Sequence, residues 1–287
     1  MGNPEEADAV KAEELDAPPP YSEVDNLAPS PDPAPPQGEP SSSASAPSAS
    51  NPAPRTPIYT KFPPTLNAYY QKKVTRTFHL GATVDKPLFA VKVHTGHTSN
   101  PEVELYDGPG DTAPLLAAAR RDSARWLNTN VTLPASPRSG LPASTEPMKV
   151  EWSWGKGGTH RFSVEVDAGA ASGKPTWRRE AFEWRSSRGS EVRELATQRS
   201  TGWKLVRLES GPQGGSGGET AQRSEGVTSD GKEIVAVWAH NTPWNATKTF
   251  KMEFRGSAAS GVLGERWEIM AVVTALRLWY LDSEQGF

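Results

Sequence analysis

The feature that most constrains this chain is the stretch GERWEIMAVVTALRLWYLD at residues 264–282, which has helical periodicity but almost no polar side. At 100° per residue, Ile269 and Leu276 fall on one half of the helical wheel, and Met270 and Leu278 fall on the other. A helix that is apolar all round is either buried inside a protein or spans a membrane. The rest of the chain therefore has to supply an enclosure for it.

Two charged residues make a membrane span a poor explanation for this helix. Arg266 and Arg277 share one narrow stripe of the wheel, and Arg277 interrupts the apolar run. The predicted helix, residues 265–281, is also at the lower limit of about 17 residues for crossing a bilayer. We therefore expect a sheet to enclose the helix. The alternative, a helix packed on one face of a sheet, would keep one polar side.

The remainder of the domain has the alternating pattern of half-buried antiparallel strands. Apolar residues at every second position predict three strong strands, with one face made by Val150, Trp152 and Trp154, by Phe162, Val164 and Val166, and by Phe250, Met252 and Phe254. Weaker strands are predicted at 74–80, 87–94, 102–107, 114–120, 124–133, 179–185 and 203–209, and one buried on both faces at 234–239. Ten or more strands result, with breaks at 107–111, 134–144, 167–175 and 209–231.

Ten tryptophans all lie in this strand-rich part of the chain. Stacking on sugars or bases is one explanation for them, and packing in a core is the other. Because they fall on predicted strands, we expect five of them to belong to the core: Trp152, Trp154, Trp184, Trp203 and Trp238. Trp244, in the loop sequence NTPWNATK, is the one expected to be exposed.

Two segments resemble a known superfamily. GERWEIMAVVTALRLWYLD is similar to the closing helix of the tubby C-terminal-like superfamily, which includes the LURP-one-related proteins and the phospholipid scramblases. The segment from Phe89 to Arg121 resembles its early strand, turn and strand unit, and the likeness covers roughly residues 70–282. It implies a mainly β fold, in which a closed antiparallel barrel of about 10–12 strands encloses the C-terminal helix. Tubby binds phosphoinositides and scramblases act at membranes, but no lipid-contacting motif can be matched here residue by residue.

Residues 1–56 differ sharply from the remaining 57–287. The first segment holds 13 of the 27 prolines and no Trp, and its ten acidic residues face only Lys11 and Arg55. Such a composition cannot bury enough apolar surface to offset the entropy of ordering. The sequence therefore predicts a disordered, acidic, Pro/Ser/Ala-rich tail at 1–56, followed by the barrel domain at 57–287.

A P-P-x-Y motif within the tail is the sharpest local signal in the chain. It consists of Pro18, Pro19, Pro20 and Tyr21, in the sequence APPPYSEVD. Consecutive prolines hold a polyproline II conformation, which docks into aromatic-lined grooves such as those of WW domains. Many WW domains that bind P-P-x-Y belong to HECT-type ubiquitin ligases, so such a ligase is one possible partner. The alternative is a coincidence within a Pro-rich segment.

Motifs for metal binding or catalysis are weak. The chain has no Cys, which removes thiolate chemistry and, with no N-terminal apolar segment, predicts an intracellular, cytoplasmic protein. His94 and His97 flank a turn with no carboxylate next to them, so we expect no metal there. No G-x-S-x-G, H-E-x-x-H or phosphate-binding loop occurs, and neither a cofactor nor nucleic acid is expected.

The sequence is compatible with three functions. The first is a non-catalytic adaptor that recruits a WW-domain partner through residues 18–21. The second is a peripheral protein that binds anionic phospholipid or phosphoinositide. The third is an enzyme with two converging carboxylates, which strands far apart in sequence can bring together.

Overall fold

The computed structural model describes residues 61–70, 77–94, 99–125, 127–153, 157–171, 174–196, 201–210, 226–240 and 248–285. The predicted tail with its P-P-x-Y motif lies outside these residues, as do most of the 209–231 loop, His97, Trp154 and Trp244. The predictions made for those positions stay predictions.

Twelve strands lie in the part of the chain that the structure describes. They are β1 (Thr65–Tyr70), β2 (Thr77–Gly81), β3 (Phe89–Val93), β4 (Val103–Tyr106), β5 (Leu115–Arg121), β6 (Thr129–Leu133), β7 (Ser144–Ser153), β8 (Gly157–Ala171), β9 (Lys174–Ser187), β10 (Gly202–Arg207), β11 (Glu233–His240) and β12 (Lys248–Phe254). The described residues also contain three helices: α1 (Ser190–Leu195), α2 (Gly256–Ala259) and α3 (Glu265–Gln285).

The strands make one closed antiparallel barrel. Each strand pairs with its neighbours in the sequence, and β1 pairs with β12 to close the ring. At that closure Leu66 lies opposite Met252, and Ala68 lies opposite Phe250. A closed barrel leaves no strand edge without a partner. The predicted mainly β fold with a closed antiparallel barrel is confirmed, at the upper end of the expected number of strands.

Alternation along the strands separates the inside of the barrel from the outside. In β8, Phe162 and Val164 are buried and Arg161 is exposed. In β12, Phe250 and Met252 are fully buried. These are the positions that the sequence pattern predicted to face the core, so the fold of these two strands follows directly from their period of two.

β11 is buried on both faces, as its continuous apolar run predicted. Ala236 and Trp238 belong to the main core inside the barrel. Ile234 and Val237 face the other way and pack with Val192 and the other apolar residues of α1. The sequence analysis did not predict α1, which at six residues is too short to show a clear helical period.

The central helix α3 fills the barrel. From Arg266 to Trp279 every residue is buried, including Thr274, whose hydroxyl accepts a hydrogen bond of 2.9 Å from Trp184 Nε1. The predicted enclosure is therefore confirmed, and the helix runs to Gln285, beyond the predicted end at residue 281. Among the helices that the structure describes, none is long and apolar enough to cross a bilayer.

The start of α3 is fixed by the segment that enters the barrel. The backbone N–H of Lys61 donates a hydrogen bond of 2.7 Å to the buried carboxylate of Glu268. The Lys61 ammonium lies 3.3 Å from Glu265, in the same first turn. Burial raises the pKa of Glu268 to about 7. Acidic residues in this turn suit the positive end of the helix dipole.

Some predicted boundaries were wrong. The segment 167–175 was expected to be a loop, but β8 continues to Ala171 and β9 starts at Lys174. The register shifts between Asp167 and Ala170, and Gly169 has a φ of 91°. A β-bulge accommodates this glycine, so that the pairing of β8 with β9 continues past the small residues. β1 and α2 were also missed.

Candidate functional site

A pocket of about 570 Å³ opens at the end of the barrel where α3 finishes. We call it the rim pocket. It lies between the last turns of α3 and the adjacent ends of β5 and β7 to β10. Its lining consists of Arg121, Leu127, Val150, Trp152, Gly157, Gly158, His160, Ser186, Trp203, Leu278, Leu281 and Asp282. The volume is within the range of about 300–1,000 Å³ typical of small-molecule sites.

Small side chains between two large ones create this pocket. Trp152 on β7 lies opposite Gly158 on β8, and Trp203 on β10 lies opposite Ser186 on β9. Thr159 pairs with Arg185, so the same register places Gly158 beside Ser186. Residues directly opposite each other share a face of the sheet. Four neighbouring strands thus carry Trp, Gly, Ser and Trp in one inward-facing row, which leaves a notch between two indoles.

The exposure of Trp152 corrects the sequence analysis. Trp184 and Trp238 are fully buried as predicted, but 72% of Trp152 is exposed and Trp203 is only partly buried. The alternation of β7 was interpreted correctly, since Trp152 shares the inner face with Val150. The strand, however, reaches the rim at this point, and opposite Trp152 stands Gly158, which has no side chain to cover it. The indole lies over Gly158, 3.4 Å from where a Cβ would be.

His160 lies one inward position deeper than Gly158, beside the notch. Its ring meets that of Trp203 edge to face, with centroids 5.2 Å apart. Burial lowers the pKa of His160 to about 4, with Asp282 opposing the shift and Arg277 adding to it. His160 is therefore neutral at physiological pH. Its Nδ1 is buried and has no hydrogen-bond partner among the described residues.

Asp282 provides the carboxylate of the pocket. One of its oxygens, Oδ2, accepts a hydrogen bond of 3.1 Å from Trp203 Nε1 and lies 3.4 Å from Nε2 of His240. These contacts tie the last turns of α3 to β10 and β11. Among the lining residues that the structure describes, Asp282 is the one acidic side chain. No second carboxylate converges on it within that lining.

A buried ion pair lies next to the pocket. Glu102 is only 3% exposed and accepts a hydrogen bond of 2.6 Å from the backbone N–H of Arg121. Its Oε1 lies 3.4 Å from Arg121 Nε and 3.6 Å from a terminal nitrogen of Arg277, which is 1% exposed. The Arg277 guanidinium also stacks at 5.7 Å from the Tyr280 ring. Glu102 carries one negative charge against these two guanidiniums, and Asp282 in the pocket lining supplies the second, so the four charges sum to zero.

His94 has a closer acidic neighbour than the sequence indicated. Its Nε2 lies 3.0 Å from the Glu104 carboxylate, because His94 directly follows β3, which pairs with the strand β4 that carries Glu104. The same carboxylate accepts a hydrogen bond from Tyr106, and burial together with this contact raises the pKa of Tyr106 to about 12. Within the described parts of the chain, no group of three or more His, Asp or Glu residues could hold a metal ion.

Two like charges stand side by side on the outer surface next to this end of the barrel. Lys149 on β7 lies directly opposite Arg161 on β8, and both are exposed. We call them the basic pair. Like charges in this position destabilise a sheet slightly. On its other side Arg161 lies opposite Glu183, whose carboxylate contacts Arg185. A negatively charged partner at this surface would be attracted by both members of the basic pair.

Searches of protein families, curated proteins and solved structures found no match to this chain. The resemblance to the tubby C-terminal-like superfamily therefore stays a prediction from the two segments that carry it. The pocket has to be interpreted from its own residues. The sequence analysis missed Gly158, Ser186, His160 and Asp282 as site residues, although WSW opposite GGTH across a predicted hairpin was a usable signal.

Proposed function

We propose that this chain is a non-catalytic interaction protein. In this proposal the rim pocket binds a ligand, and the P-P-x-Y motif recruits a WW-domain protein such as a ubiquitin ligase. The observation that supports a binding role is the lining of the pocket. Its walls are mostly apolar and aromatic, its histidine is neutral, and its carboxylate already accepts a hydrogen bond from Trp203. Glycoside-type chemistry needs two carboxylates.

The recruiting half of the proposal depends on Tyr21. We expect Tyr21→Ala to abolish binding of the WW-domain partner, because the aromatic ring is the part of the motif that the groove receives. A peptide covering residues 16–26 should bind a purified WW domain of the P-P-x-Y class, and its Tyr21→Ala form at least about tenfold more weakly. Titration of both peptides measures the difference.

Pro36→Ala is the matched control in the full chain, since Pro36 belongs to the same tail but not to the motif. Purification of the three full-length forms from a cytosolic extract should recover the WW-domain protein with wild type and Pro36→Ala only. Identical partner lists for all three would reduce the motif to a coincidence of composition.

The basic pair supports a second candidate, peripheral binding to anionic phospholipid. Full-length protein should float with vesicles that contain phosphatidylserine at low ionic strength and separate from them as salt screens the charges. The Lys149→Glu, Arg161→Glu double variant should float much less. Lys86→Glu with Arg193→Glu changes the net charge equally at two exposed positions elsewhere and serves as control. Failure of the wild type to float at low salt would remove this candidate.

A further inference from the structure

We infer that the rim pocket takes an uncharged, flat aromatic molecule that carries one hydroxyl or amino group. The inference names the ligand class of the proposed binding function and rests on it. The notch between Trp152 and Trp203 sets the shape of the ligand. Charges that sum to zero around the pocket favour a neutral ligand, and His160 with Asp282 offers hydrogen-bond partners for its polar group.

The inward-facing row of Trp, Gly, Ser and Trp on β7 to β10 sets the shape of the pocket. Three strand spacings separate β7 from β10, or about 14 Å between backbones at about 4.8 Å per spacing. The indole of Trp152 folds over Gly158 and covers part of that span. What remains is a slot above Ser186, with an indole on each side. A flat ring system fills such a slot with aromatic contacts on both sides, whereas a puckered ring of the same carbon count is thicker.

The exposure of Trp152 points to the same slot. A tryptophan that is 72% exposed at the mouth of an apolar pocket leaves a large aromatic surface in water. Leu127, at 38% exposed, and the partly buried Leu281 belong to the same lining. A contiguous apolar surface of this kind is typical of a binding site. A flat ligand in the notch would cover it without moving the barrel.

The charges around the pocket disfavour an ionised ligand. Arg121 and Arg277 lie 3.4 and 3.6 Å from the single negative charge of Glu102. Asp282 in the lining adds the second negative charge, so the four charges sum to zero. Asp282 is held by Trp203 and lies beside His240. His160 is neutral at physiological pH, since its pKa is about 4. A charged ligand would lose its hydration in this pocket without meeting a net charge of opposite sign. A neutral ligand has no strongly hydrated charge to desolvate.

One polar group on the ligand matches what the pocket offers. A neutral imidazole has one nitrogen that donates and one that accepts. The carboxylate of Asp282 can accept a further hydrogen bond beyond the one from Trp203. Both groups lie in the same lining as the two indoles. A hydroxyl or amino group on the edge of the ring system therefore finds a partner, which fixes the orientation of the ligand.

The test compares 1-naphthol with decahydro-1-naphthol, which has the same ring carbons and hydroxyl but is not flat. Calorimetric titration of the full-length protein should show binding of 1-naphthol and at least about tenfold weaker binding of the saturated form. Trp152→Ala should weaken 1-naphthol binding about tenfold. Because Trp152 is mostly exposed, this variant should keep the wild-type melting temperature.

Gly158→Leu provides a second variant, in which the leucine takes the place of the Trp152 indole over residue 158 and pushes that indole into the slot above Ser186. The φ of Gly158 is not positive, and the atoms nearest to an added Cβ belong to the Trp152 ring, at an ordinary contact distance of 3.4 Å. It should abolish binding of both probes. Leu88→Ala, at a 41% exposed apolar position outside the lining, is the control and should bind like wild type.

The outcomes distinguish two claims: that the rim pocket binds a ligand, and that this ligand is a flat aromatic molecule. Equal affinity for the flat and the saturated probe, lost in Gly158→Leu, would overturn the aromatic ligand class and leave the binding role of the pocket standing. No binding of either probe, or binding that Gly158→Leu leaves unchanged, would overturn both. Tighter binding of 1-naphthol that requires Trp152 and an open notch would support both.

Discussion

Leu276→Asp is expected to unfold the barrel domain. Leu276 is fully buried in the main core, at the centre of α3. Loss of a buried leucine costs about 2–5 kcal/mol, and an unpaired polar group in its place costs about 1–3 kcal/mol more. The sum is comparable to the whole free energy of unfolding of a typical domain, about 5–15 kcal/mol. Ala275→Asp should act in the same way, since Ala275 is equally buried.

Thermal unfolding followed by near-ultraviolet circular dichroism measures this effect, because the many enclosed tryptophans give a strong signal when they are fixed. The control is Val262→Asp, which adds the same charge at a 40% exposed position just before α3. It should melt close to wild type. If Leu276→Asp also melted like wild type, the helix would not be enclosed in solution.

Glu102→Ala is expected to destabilise the domain by about 3 kcal/mol or more. The substitution removes a buried carboxylate that neutralises Arg277 inside the barrel and accepts the backbone N–H of Arg121. Removing one partner of a buried ion pair typically costs about 3–5 kcal/mol, because the other charge is left in a medium of low polarity. Urea unfolding monitored by fluorescence gives the difference in the free energy of unfolding.

The surface pair of Arg255 and Glu194 is the matched control for that experiment. Its two charged groups lie 3.4 Å apart, and the Glu194 side chain is 52% exposed. Glu194→Ala should cost less than about 1 kcal/mol, because water screens an exposed pair. The double variant Glu102→Leu, Arg277→Met should recover much of the stability lost in Glu102→Ala. Equal costs for Glu102→Ala and Glu194→Ala would contradict a buried pair.

The architecture could be predicted from the sequence because it follows from two patterns, the helical period of α3 and the alternation of the strands. The all-round apolarity of residues 264–282 required an enclosure, and alternation in segments such as β8 and β12 supplied the strands to build one. Elements without a period were missed. α1 and α2 are only six and four residues long. In the 167–175 segment, small residues that usually mark a loop are absorbed by a bulge instead.

The candidate site could be predicted only in part, because it depends on which residues meet across strands. Trp152 and Trp203 were assigned to the inner face, and that assignment follows from alternation. Their place at the rim does not, since it depends on register and on where α3 ends. Gly158 has no side chain and Ser186 has a small one, and the role proposed for both is to leave space. Absence of a side chain becomes informative only once the neighbours are known.

Filling the barrel with α3 also has a consequence for how the chain assembles. All twelve strands precede this helix in the sequence, and β1 closes the ring against β12, the last of them. During synthesis from the N-terminus the strands leave the ribosome before the helix that occupies their centre. A ring that closed at once would be hollow, and contacts between such distant segments form slowly. We therefore expect the pairing of β1 with β12 to follow docking of the helix, so that closure of the barrel and burial of α3 occur as a single late event.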